Sequence, residues 1–125
     1  DLNEENIMKA TLKIWAPTLL LALPLILAGV AKLSGVPAMH QSFNMMGLPE
    51  WFGYFIGALE LLAGVGLLVP KWAALAATGM VPILLGAAYF HLAYAVPSAV
   101  PALILLLLAL VIVTLRRKQA IWYPV

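Results

Sequence analysis

Three ionisable side chains stand inside otherwise apolar runs: Lys32, Glu60 and His91. A lysine can pair with a carboxylate, a carboxyl and an imidazole can exchange protons, and all three can hydrogen-bond a polar ligand head. In apolar surroundings each needs a reason, because a charge at the centre of a bilayer costs about 2.5–3.5 kcal/mol on insertion scales. Weaker candidates surround them. Gln41 and Asn44, with His40 and Ser42, fall in one polar connection, and Tyr54, Tyr89 and Tyr94 fall in or beside the apolar runs. His40 reads as a solvated loop residue, since two histidines without several carboxylates nearby make no convincing metal site. Met39, Met45 and Met46 read as an apolar face and not as a copper site.

The setting of these residues follows from composition. The 125 residues are 65% hydrophobic and 10% charged, against about 45–50% and about 25% in a soluble domain. This excludes a soluble domain, a disordered chain and a nucleic-acid binder, and leaves an integral membrane protein. There is no cysteine, which removes disulfides, thiolate nucleophiles and iron–sulfur clusters. Phosphate-binding loops, nucleophile elbows and zinc-protease motifs are also missing from the sequence.

Four runs approach the roughly 20 apolar residues that a spanning helix needs: 14–33, 51–69, 72–95 and 97–115. Pro70-Lys71 leaves room only for a tight hairpin, and two prolines and a serine break the chain over 95–101. The longest connection, 34–50, carries Met39, Phe43 and Met46 at a spacing that predicts a short amphipathic helix over 38–46. The expected fold is therefore an all-α membrane protein. It is a four-helix transmembrane bundle with a short amphipathic helix in its long outer loop. Residues 1–13 form a cytoplasmic segment, 14–115 the membrane domain, and 116–125 a basic, aromatic tail. Met8-Lys9 would make a natural start, so residues 1–7 read as a foreign leader. The first run is too long and lacks a small-residue cleavage site, which argues against a signal peptide.

Lysine and arginine bias orients the spans. Lys9, Lys13, Lys71, Arg116, Arg117 and Lys118 all fall on one side, which places both termini in the cytoplasm. The basic run 116–118 reads as a topology anchor, with an anionic-lipid site as the alternative. Trp15, Trp51, Trp72, Trp122 and Tyr123 sit near the expected interfaces. Pro17, Pro24 and Pro82 fall inside spans and predict bends, and a bend beside a polar site can open a cavity.

At about 1.5 Å per residue, Lys32 lies about 27 Å from the inner end of its span, Glu60 about 13 Å below the outer end, and His91 about 27–28 Å along its span. All three fall in the outer half of the membrane or at its middle. Gly53, Gly57, Glu60 and Gly64 form one helical stripe. Gly29 and Ala28 precede Lys32 by one turn, and Ala87 and Ala88 precede His91. Small residues let helices approach closely, so the polar groups face a packed interior. One reading is a Lys–Glu–His cluster that only fixes helix assembly. The other is a binding or proton-handling site.

These residues resemble the DoxX and DoxX-like family of small four-span membrane proteins. The resemblance is carried by Ala28-Gly29-Val30-Ala31-Lys32-Leu33-Ser34-Gly35, by Gly47-Leu48-Pro49, by Gly57-Ala58-Leu59-Glu60-Leu61-Leu62-Ala63-Gly64 with Leu68-Val69-Pro70, and by Gly86-Ala87-Ala88-Tyr89-Phe90-His91-Leu92-Ala93. It covers roughly residues 14 to 115. It implies a multi-pass protein of the bacterial inner membrane, and it singles out Lys32, Glu60 and His91. Some relatives are subunits of a thiosulfate:quinone oxidoreductase, others belong to membrane redox and thiol-stress complexes, and an animal relative looks like a receptor-assembly chaperone. The absence of cysteine speaks against a thiol role for this chain itself. Three functions stay open. The first is a non-catalytic subunit or assembly factor with a membrane-protein partner or a homo-oligomeric state. The second is a redox subunit with a quinone as cofactor in the cluster. The third is a transporter acting as an oligomer.

Overall fold

The computed structural model describes residues 3–94 and 98–120. It is all-helical there: α1 (Glu4–Leu33), α2 (Pro37–Met45), α3 (Glu50–Leu67), α4 (Pro70–Ala93) and α5 (Val100–Arg116), followed by a short 3-10 turn, Arg117–Gln119. Four of these helices are long and apolar enough to cross a membrane, and α2 is not among them. Trp122, Tyr123 and part of the connection after α4 lie outside the described residues.

The four long helices match the four apolar runs, with one difference at the start. α1 begins well before residue 14, inside a polar stretch. Local chemistry accounts for this. The Asn3 side chain accepts a hydrogen bond from the Asn6 N–H at 2.9 Å. Glu4 and Glu5 occupy the first turn, where negative charge complements the helix dipole. Lys9 reaches back to Glu5 at 3.0 Å. Pro17 and Pro24 lie within α1, which continues through both.

Helix ends follow glycine and proline. Gly35 and Gly47, on either side of α2, adopt φ of 79° and 74°, a left-handed conformation that side chains disfavour. Pro70 and Pro101 stand in the first turns of α4 and α5, where a missing N–H leaves no hydrogen bond unmade.

The helices pack mainly in two pairs, α1 with α3 and α4 with α5, with lighter α3–α4 and α1–α5 contacts closing the bundle. The α1–α3 seam is the tightest. A Cβ on Gly29 would stand 2.7 Å from the Gly57 carbonyl oxygen, and one on Gly57 would stand 2.6 Å from the Lys32 Cβ. Gly53, Gly57, Glu60 and Gly64 are all buried, as one stripe facing a neighbour requires. The apolar core lies towards the end that carries the chain termini, built from Leu21, Leu25, Leu67, Met80, Leu84, Ala109 and Ile112.

Arg116 closes that end. It is 1% exposed. Its Nη1 donates to the Thr18 hydroxyl at 3.2 Å and its Nε to Gln119 Oε1 at 2.7 Å. Its guanidinium also lies over the Trp15 ring, 4.7 Å from the centroid, a cation–π contact. Among the basic residues 116–118, Arg116 is therefore a tie between α5 and α1, while Arg117 and Lys118 are exposed.

Candidate functional site

The α1–α3 seam brings Lys32 and Glu60 together. Gly29 and Gly57 let the backbones touch one turn away, so the lysine stem lies along α3 and its ammonium meets the carboxylate. Lys32 Nζ is 2.8 Å from Glu60 Oε1. The side chains keep 11% and 10% of their surface. Glu60 Oε1 is buried and accepts no well-directed hydrogen bond among the described residues. The contact is thus an ion pair whose carboxylate has hydrogen-bonding capacity left over.

The pair stands in the wall of a chamber of about 850 Å³ at the α2 end of the bundle. α2 covers it with Met39, Gln41, Phe43 and Met45. α3 contributes Phe52, Ile56 and Glu60, and α4 contributes Pro82, Gly86, Ala87, Tyr89, Phe90 and His91. The lining is mainly apolar and aromatic, with Lys32, Glu60 and His91 as its ionisable groups. Pro82, inside α4, lies in this wall. Gly86 also lines it, and a Cβ there would meet nothing within 4 Å.

The sequence candidates separate clearly. Lys32, Glu60, His91, Gln41 and Tyr89 share the chamber. Asn44 is exposed on α2 and is not part of its lining. Tyr94 stacks on Phe90 at 5.2 Å and is exposed, outside the lining. Tyr54 packs against His40 with the ring centroids 4.4 Å apart and the planes tilted by 38°.

His40 is not a solvated loop residue. It belongs to α2, is half-buried, and lies 2.8 Å through Nε2 from the Lys32 carbonyl oxygen. A carbonyl only accepts, so Nε2 carries the proton in this contact. The ring occupies the space above Gly53, where any Cβ would collide with it. Gly53 therefore serves the seat of α2, while Gly29, Gly57 and Gly64 serve the α1–α3 seam. His40 and Arg116 were noted in the sequence, but the contacts they make were not. For Arg116 the available signal was Thr18, a lone hydroxyl in the apolar α1 run.

Fold and site together define a multi-pass membrane protein with a mainly apolar, aromatic-lined cavity between its helices. A family model for the DoxX-like family matches residues 16–113, and the chain belongs to that family. No curated protein and no solved structure matches it.

Proposed function

We propose that this protein is a membrane-embedded binding subunit without chemistry of its own. The chamber at the α2 end holds a small lipid-soluble molecule whose polar head meets Lys32, Glu60 and His91. The observation that carries this reading is the placement of the ion pair. A pair that served only to lock helices would be sealed in the seam, whereas this one is part of the wall of an 850 Å³ chamber. Ligand sites commonly measure about 300–1,000 Å³, with apolar walls and a few converging polar groups. With the lysine and arginine bias, the chamber opens in the half of the membrane away from the cytoplasm. A quinone is one molecule that such a chamber could take.

The reading of a pure assembly factor drew on glycine-lined faces. Gly29, Gly53, Gly57 and Gly64 are all engaged within the chain, so these faces support its own packing before any partner's.

Native mass spectrometry of protein taken from its membranes in mild detergent tests the proposal. The wild type should carry a stoichiometric small molecule, and Gly86→Leu, which fills the chamber from an open position, should lack it. An empty wild type, or equal cargo in both, would refute the reading.

A further inference from the structure

We infer that the occupant is a single-chain amphiphile whose head is a hydroxylated ring, and that its chain leaves along a second cleft between α3 and α4. This rests on the reading of the chamber as a ligand site and names the class of ligand.

The head follows from the ion pair. Lys32 offers only donors and the Glu60 carboxylate only acceptors, with the Oε1 atom forming no directed hydrogen bond. A hydroxyl is both donor and acceptor, so one such group can serve both partners. A carbonyl or an ether can accept from Lys32 but gives Glu60 nothing. An ionised head gains little, because the pair is neutral as a unit, and it would sit beside a like charge. The walls select the body of the head. Phe43 and Phe52 meet edge to face at 5.5 Å, and both line the chamber with Phe90 and Tyr89. Aromatic edges and faces of this kind favour a flat ring.

The chain follows from the second cleft, about 460 Å³, which runs between α3 and α4 towards the terminal end. Ile83 belongs to both linings, so the cleft adjoins the chamber with that one side chain at their border. Its described walls are Leu59, Leu62, Leu75 and their apolar neighbours, with no charged residue. Gly66 and Gly79 open its floor. A Cβ on Gly79 would meet nothing within 4 Å, and one on Gly66 would meet Ala76 at 3.3 Å. An uncharged slot of this kind suits one hydrocarbon chain.

The test uses four probes in nanodiscs holding the full chain: para-dodecylphenol, para-dodecylanisole, para-propylphenol and para-propylanisole. Specific binding is the part lost in Gly86→Leu, with dissociation constants expressed as mole fraction in the bilayer. The phenols should bind about tenfold or more tightly than their methyl ethers, the difference expected for a hydrogen bond to a charged group. Glu60→Gln should narrow that ratio. Gly79→Leu should remove the advantage of the dodecyl over the propyl chain. Equal binding of phenol and anisole would overturn the head assignment, and an unaltered chain-length preference in Gly79→Leu would overturn the cleft. In both cases Gly86-sensitive binding would leave the chamber reading standing. Absence of any Gly86-sensitive binding would overturn the inference and that reading together.

Discussion

Removing one half of the Lys32–Glu60 pair should cost more stability than removing both. A lone charge left in a buried site destabilises by up to about 3–5 kcal/mol, whereas an apolar or neutral replacement of the whole pair is often tolerated. Thermal unfolding in detergent should therefore rank Lys32→Met below the double variant Lys32→Met, Glu60→Gln. Equal losses would mean that the carboxylate has another partner or takes up a proton at little cost. At the other end of the bundle, Arg116→Met strips Thr18 and Gln119 of their donor and Trp15 of its cation. A loss of about 1.5–3 kcal/mol is expected, against nearly none for the exposed Arg117→Met, read in the same melt. Lys32 and Glu60 were legible because charge in an apolar run is conspicuous. Arg116 was not, because a basic residue at the end of a span looks the same whether it faces headgroups or folds back onto Trp15. His40 was hidden for a related reason. Its partner is a backbone carbonyl, which leaves no trace in the pattern of residue types.

Helices were legible where hydropathy decides them and misplaced where capping does. The apolar runs located α3, α4 and α5 to within a few residues, and the Met39, Phe43, Met46 spacing located α2. The early start of α1 rests on Asn3, Glu4, Glu5 and Lys9, none of which raises hydropathy. The glycine stripe on α3 was readable, but which helix it would receive was not, since small residues state only that something comes close. The structure makes the glycines unequal. Gly29→Ala places a methyl against the α3 backbone and should destabilise by about 1–3 kcal/mol, the usual range for overpacking. Gly79→Ala meets open space and should be neutral or gain up to about 1 kcal/mol from helix propensity. Melting of the two variants side by side checks this. A Gly29→Ala protein as stable as wild type would show that α1 and α3 are not held at backbone contact.

At the scale of the molecule, two heavily packed helix pairs meet through lighter α3–α4 and α1–α5 contacts, and the chamber is walled by α2, α3 and α4. Sequence placed Lys32, Glu60 and His91 at similar depths, but depth alone does not reveal empty space. The volume depends on Gly86, on Pro82 and on α2 held across the opening by His40, and no single stretch of sequence contains all three. Sidedness is testable because the chain lacks cysteine. In intact cells, Ser42→Cys on α2 should react with a membrane-impermeant maleimide and Lys118→Cys should react only after lysis. The reverse pattern would invert the orientation given by the lysine and arginine bias. The most direct measurement of the central claim is photoaffinity labelling with a diazirine-bearing dodecylphenol, its adducts mapped by peptide mass spectrometry. The account predicts adducts concentrated on the chamber walls contributed by α2, α3 and α4, around Phe43, Phe52 and Phe90, and their loss in Gly86→Leu. Adducts spread over the exposed leucines of α1 and α5, unchanged by that substitution, would contradict it.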